Sequence, residues 1–243
     1  MNAHPPQLAR LLEEEPDLAL DLDAASASAA RRLLVAPVER LRAGPWQPPR
    51  PYSQIMILDG FLLRSVLMSG IGCTELLGRG DLLDPSLTVE GEASIPLRVE
   101  WRVLEPSRVA LLDERFTTAA ARWPPVGARL TARAQRRADN LAELLAITCL
   151  PRLDLRVYVL FWHLADRFGR VNAKGVVVPV RLTHETLARL VAARRPSVTT
   201  ALGRLRSDGL LACSGEGWLV SGDPPSESTR TAWRSRDVAT SAG

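Results

Sequence analysis

The chain has 243 residues, 46% of them apolar and 24% charged, with 31 basic against 27 acidic side chains. That is the composition of a globular protein, with room for one large domain or two ordinary ones. No apolar run approaches the ~18–20 residues that span a bilayer, and the N-terminal MNAHPPQLARLLEEEPD lacks the basic-then-apolar pattern of a secretion signal, so a cytoplasmic protein without membrane contact is expected.

Three scattered cysteines, Cys73, Cys149 and Cys213, form no CxxC pair, which argues against both a disulfide framework and a structural zinc. The histidines are His4, His163 and His184. There is no nucleophile–base motif, no phosphate-cradling glycine loop and no cluster of metal ligands, so no catalytic residue, cofactor or metal is expected. The charge is unevenly spread. Residues 1–128 hold 13 basic and 17 acidic side chains, residues 129–211 hold 15 and 6, and the remainder 3 and 4. Positive charge concentrated on one segment is the electrostatic footprint of a nucleic-acid binder, although a solvated basic face has the same composition.

In chain order, the first 45 residues read as helical in patches. Leu8, Leu11 and Leu12 have helical spacing, and AASASAARRLLVAPVERL holds a second candidate helix ending near Ala36-Pro37. Glu13-Glu14-Glu15 reads as solvated surface. From Trp46 the texture becomes that of strands. Gln54 to Leu58 and Phe61 to Leu67 flank Asp59-Gly60, a hairpin signal. Thr74 to Leu77, the turn Gly78 to Asp81, and Leu82-Leu83 follow. A further pair, Leu97 to Leu104 and Arg108 to Asp113, is joined by a Glu105-Pro106-Ser107 turn. Short strands at this spacing indicate an antiparallel barrel or jelly roll.

From Thr117 to Leu150 helix propensity is high. Leu130, Ala134, Arg137, Leu141, Leu144, Leu145 and Thr148 recur every three or four residues, a face suited to packing on a partner helix or on the chain's own β-domain. Pro151 breaks this helix. Leu153 to Asp166 is apolar nearly all round and reads as a buried helix ended by Gly169, and Gly175 to Leu182 reads as a strand.

The stretch LTHETLARLVAARRPSVTTALGRLRSDGLL, residues 182–211, reads as two helices joined by a tight Ala192-Ala193 turn. Thr183 caps the first, with Leu187, Leu190 and Val191 facing inward. The second spans residues 194–208, with Pro196 in its first turn and Val198, Ala201, Leu202 and Leu205 as its core stripe. Its outward residues are Arg194, Arg195, Ser197, Thr199, Thr200, Gly203, Arg204 and Arg206. A hairpin, Leu211 to Cys213 and Trp218 to Val220 around Ser214 to Gly217, follows as a wing. This is the pattern of a winged helix-turn-helix that lays its second helix in the DNA major groove.

In the order of its pieces the chain resembles the Crp/Fnr superfamily of bacterial transcription regulators. The N-terminal resemblance lies in Leu58-Asp59-Gly60, in Glu75-Leu76-Leu77-Gly78-Arg79-Gly80-Asp81, which is similar to the family's L..G..GD turn, and in the strand ending Val109 to Asp113. The resemblance spans about residues 46–222 and is most specific over 153–220. It implies an α+β architecture with an N-terminal cyclic-nucleotide-binding-like β-roll, a jelly roll, then a long dimerisation helix and a C-terminal winged helix-turn-helix. The implied domains are a sensor at 1–122, a connecting helix at 123–150 and a DNA-binding domain at 151–222; the polar, turn-rich stretch at 223–243 reads from its composition as a disordered tail.

It also implies a homodimer on a palindromic double-stranded operator, contact with RNA polymerase, and a small-molecule effector whose identity is open. Matching the family motif position by position places Arg195, Pro196 and Thr200 at base edges and Arg194 and Ser197 at phosphates. The expected DNA-contact set is these with Thr183, Thr199 and Arg204, and Arg195 is the chief base reader. Many members carry Glu where Pro196 stands, and proline cannot read cytosine as that Glu does, so a different operator is expected.

The chain also departs from members that bind cyclic nucleotides. Those follow the GD turn with Gly-Glu-Leu and then Arg-Ser or Arg-Ala, which hold the phosphate. Here Gly91-Glu92-Ala93 is a partial echo, no Arg-Ser follows, and Arg98 lies in a strand with a solvent-facing role, so control by cyclic AMP is not expected. Iron–sulfur members need four cysteines, and His163 on an apolar helix suits packing or capping better than haem ligation. A small-molecule-sensing signalling protein whose winged helix binds another protein is the alternative. Its second helix would expose apolar residues, where this one exposes Arg, Ser and Thr.

Overall fold

Four consecutive apolar residues, Ile55 to Leu58, are all buried. A strand shows alternate side chains to opposite faces, so this run requires cover on both sides, and its two sets of side chains lie in two different cores. Met56 and Leu58 pack with Leu11, Leu12, Leu18, Ala30 and Leu34 of the N-terminal helical segment and with Val126 and Leu130. Ile55 and Ile57 pack with Leu62, Leu77, Trp101 and Val103 of a second sheet.

The computed structural model describes residues 7–49, 54–84 and 97–225. They divide into two units, with the boundary between Leu141 and Ala142. The first contains β1 (Gln7–Arg10), α1 (Leu11–Glu14), a 3-10 turn (Pro16–Ala19), α2 (Ala24–Leu33), β2 (Val35–Leu41), β3 (Gly44–Trp46), β4 (Gln54–Asp59), β5 (Leu62–Met68), β6 (Ile71–Leu77), β7 (Leu82–Leu83), β8 (Arg98–Val103), β9 (Ser107–Leu112) and α3 (Glu114–Ala120). A long helix, α4 (Pro124–Thr148), runs across the boundary. The strands form two antiparallel sheets ordered β1-β2-β9-β4-β7 and β3-β8-β5-β6, a two-sheet roll.

Several local expectations are corrected. Leu8 does not share a helix with Leu11 and Leu12: Gln7–Arg10 pairs with Val35–Val38 as the edge strand of the first sheet, leaving Leu8 exposed while Leu11 and Leu12 are buried. The second helix, capped by Asp23 Oδ1 accepting from Ala25 N and Ser26 N at 2.9 Å, ends at Leu33, and Ala36-Pro37 lies in β2. Glu13-Glu14-Glu15 is not simply solvated. Glu15 is buried and meets Arg133 at 2.7 Å and Arg79 at 3.1 Å, and Glu14 meets Arg108.

Neither expected hairpin of the roll is one. Asp59-Gly60 carries the chain from β4 in the first sheet to β5 in the second, and Glu105-Pro106 returns it from β8 to β9. The two corners stack: Gly60 has φ +83°, and a Cβ there would sit 2.1 Å from Ser107 Oγ, so only glycine fits. The real hairpin is β5–β6, closed by Ser69 and Gly70, both at positive φ, as a two-residue turn matching strand twist requires. The expected helix over 117–150 is two helices, because Pro124 and Pro125 lack amide donors and are tolerated only in a first turn.

The second unit holds α5 (Leu153–Phe168), β10 (Arg170–Asn172), β11 (Gly175–Val178), α6 (His184–Leu190), α7 (Arg195–Ser207), β12 (Leu211–Ser214) and β13 (Gly217–Val220). Its sheet order is β10-β11-β13-β12. The strand expected over 175–182 stops at Val178, before Pro179, and β10 was not foreseen. Tyr158, Phe161, Leu164, Val198, Leu202, Leu205 and Trp218 are buried, with Phe161 and Trp218 ring centroids 4.9 Å apart. Gly91-Glu92-Ala93 and the tail beyond Pro225 lie outside the described residues.

Candidate nucleic-acid interface

The motif is built from its turn outward. Thr183 Oγ1 accepts from Thr186 N at 3.1 Å and starts α6. At the other end Ala192 takes φ +50°, and Ala193 N donates to Ala188 O at 2.9 Å, reversing the chain in two residues. A left-handed conformation favours glycine, and Ala192 holds it with only a methyl to accommodate. Arg156 Nη1 ties this corner to α5 by donating to Val191 O at 2.9 Å.

Arg194 is the N-cap of α7, and Pro196 is in its first turn, where no intrahelical amide bond is lost. Val198, Ala201, Leu202 and Leu205 are buried. Arg194, Arg195, Pro196, Ser197, Thr199, Thr200 and Arg204 are all exposed on the same helix. Thr183 is exposed at the start of α6, with its hydroxyl engaged in capping. Among the described residues the side chains of Arg194, Arg195 and Arg204 have no hydrogen-bond or ion-pair partner, which leaves three guanidinium groups available to an outside anion or base edge.

Both threonine hydroxyls and Arg206 are engaged. Thr199 Oγ1 donates to Arg195 O at 3.1 Å and Thr200 Oγ1 to Pro196 O at 3.3 Å. Arg206, outward by spacing, turns back to the wing, where its guanidinium lies 5.3 Å from the Trp218 ring centroid and donates to Cys213 Sγ at 2.9 Å. Two participants were missed. His184 Nδ1 lies 2.9 Å from Thr199 Oγ1, joining the two helices on their exposed side, and Arg181 donates to Gly215 O at the wing turn at 3.1 Å. Both contacts join residues far apart in sequence, so no spacing signal marks them.

Beneath the motif, His163 is buried with Nδ1 2.9 Å from Glu143 Oε2. Burial lowers its pKa, and the Glu143 hydrogen bond opposes that without reversing it. At Asp154, burial raises the carboxyl pKa, and Arg152 at 2.8 Å with the Leu155 amide more than offsets this, leaving it below the usual range. In the first unit Arg98 is exposed in β8 and pairs with Glu100 at 3.1 Å. Among the described residues no group of three His, Cys, Asp or Glu could hold a metal ion, and no helix is long and apolar enough to cross a membrane.

A family model described as a Crp-like helix-turn-helix domain matches residues 155–224. The chain is 29% identical over 176 residues, 71% of each protein, to a CRP-like cAMP-activated global transcriptional regulator of Mycobacterium tuberculosis. In fold it is similar to a CooA variant from Carboxydothermus hydrogenoformans, with a TM-score of 0.61 and 14% identity over 81% of this chain and 87% of that one. It is also similar to a CRP-family transcriptional regulator from Thermus thermophilus, with a TM-score of 0.52 and 22% identity over 81% and 95%.

Proposed function

We propose that the chain, whose residues 155–224 match a Crp-like helix-turn-helix model and which is 29% identical to a CRP-like regulator, is a transcription regulator of the Crp/Fnr superfamily: a dimeric, sequence-specific binder of double-stranded DNA that lays α7 in the major groove and is not controlled by cyclic AMP. The observation that carries this reading is the outward side of α7, where three arginines without partners among the described residues stand above a buried apolar stripe. Arginine meets guanine O6 and N7 bidentately and meets phosphates as a charge. Arg195 is the chief base reader, Arg194, Arg204 and Ser197 hold phosphates, and Thr183 lies at the backbone end of α6. An interaction module would expose apolar side chains here, which disfavours a protein partner.

Dimerisation is assigned to α4. Ala134, Ala138, Leu141 and Leu145 alternate at four- and three-residue steps, the spacing of a coiled-coil seam; none is fully buried, and Leu145 is 55% exposed. A two-fold dimer would present two copies of α7 to a palindrome. The domain roles at 1–122, 123–150 and 151–222 follow, with RNA polymerase contact and a cytoplasmic site of action as consequences of regulating transcription. The relative from Mycobacterium tuberculosis is, by its name, activated by cyclic AMP. The present chain lacks the Arg-Ser pair after Gly91-Glu92-Ala93, which supports a different effector.

Selection of bound duplexes from a random pool tests the reading. A palindromic consensus is expected, with Arg195→Ala losing ~1–3 kcal/mol and relaxing one base position per half-site. Absence of binding at low salt, or a consensus unchanged by that substitution, rejects the mechanism.

A further inference from the structure

At about 3.6 residues per turn, the line through Pro196, Thr200, Gly203 and Ser207 lies opposite the buried stripe of α7, with the arginines on its flanks. This ridge has little to donate. Thr200 gives its proton to Pro196 O at 3.3 Å, Ser207 to Gly203 O at 3.0 Å and, beside them, Thr199 to Arg195 O at 3.1 Å. Each hydroxyl has one proton, so none donates to a phosphate or a base acceptor without giving up its bond to the preceding turn. His184 Nδ1 lies 2.9 Å from Thr199 Oγ1, so the Thr199 hydroxyl is engaged within the motif whichever of its two contacts takes the proton. The His184 contact holds the Thr199 rotamer from α6. Pro196 adds an apolar ring without an amide proton, and a Cβ added at Gly203 would meet no atom within 4 Å, so the ridge is shallow as well as apolar.

We infer that α7 reads thymine C5-methyl groups, through the Thr200 methyl and the Pro196 ring, while hydrogen bonding to bases is left to the flanking arginines. With Oγ1 turned back along the helix, the γ-methyl is the substituent on the Thr200 Cβ left for the groove floor. Apolar contact with the thymine methyl is the base feature such a surface distinguishes. The inference rests on the DNA-binding reading of α7 and deepens it by naming what the centre of the helix recognises.

The test uses the full chain and the duplex it selects from a random pool. Thymines of that duplex are replaced singly by deoxyuridine, which removes the methyl and alters no hydrogen-bonding group. At one or more positions per half-site the wild type should bind about fourfold more weakly, the value of one buried methyl. Thr200→Ser, which keeps the hydroxyl, should bind thymine and uracil equally there, and Thr200→Val, which keeps a methyl, should retain the difference. A sequence-selective wild type indifferent to every deoxyuridine, or a Thr200→Val protein that loses the thymine preference while Thr200→Ser keeps it, overturns the methyl readout alone. A wild type that selects no sequence overturns the DNA-binding reading beneath it.

Discussion

His163 illustrates how one residue ties stability to pH in the second unit. Its ring is buried, and burial favours the neutral form, which donates from Nδ1 to Glu143. An unfolded chain takes up a proton near the ordinary value of 6.5, whereas the folded chain resists until a lower pH. The stability due to neutral His163 is therefore complete above that value and lost progressively as pH falls below it, down to the folded pKa. Thermal melts between about pH 7 and pH 5 should show a steeper fall for the wild type than for His163→Asn, which keeps a donor without titrating. Equal slopes would remove His163 as the cause. At Glu15 the residue type alone misled. A glutamate in an acidic run reads as solvated, yet Arg133 and Arg79, more than 60 residues away, give it two ion pairs in a buried position. Thr183, Pro196 and the α7 stripe were legible because caps and helical periodicity act within one or two turns.

Element by element, α4 divides its faces between two uses. Arg129, Arg133 and Arg137, spaced four apart, pair with Asp21 at 2.6 Å, with Glu15 at 2.7 Å and with Glu75 at 2.6 Å. This face binds the helix through charge to the N-terminal helical segment and to β6, and Val126 and Leu130 add apolar burial. Periodicity identified a helix with an interacting face but merged two faces into one, because apolar spacing does not register arginines that bury themselves against carboxylates. The face left over carries the proposed seam. Leu145→Glu, at an exposed position, should turn a dimer into a monomer by sedimentation while leaving the melting temperature of dilute protein nearly unchanged. A dimer that survives it would place the interface elsewhere. The roll shows a related limit. Asp59-Gly60 and Glu105-Pro106 are good turn signals, but whether a turn closes a hairpin or a corner depends on which sheet receives the next strand. Gly60 stacked on Ser107 is the contact that makes these two corners.

At the scale of the whole molecule, charge and control are assigned to different parts. The basic excess falls on residues 129–211, where part of it is spent internally on Glu15, Glu75 and Trp218 and part stands free on α7. The proposed independence from cyclic AMP predicts no thermal shift with cyclic AMP or cyclic GMP at millimolar concentration. A ligand bound at 100 times its Kd would add about 2.7 kcal/mol, so clear stabilisation by either nucleotide would overturn that assignment and align the chain with its cyclic-AMP-activated relative. The α+β class, the two helices of the helix-turn-helix and the hairpin of its wing were determined by sequence alone, since caps, glycines, prolines and apolar periods act locally. Only the tertiary structure decided which sheet each strand joins, that Glu15 is buried, that Arg206 serves the wing, and that His184 holds Thr199. Each of these depends on a partner brought close by folding, and no local pattern encodes that partner.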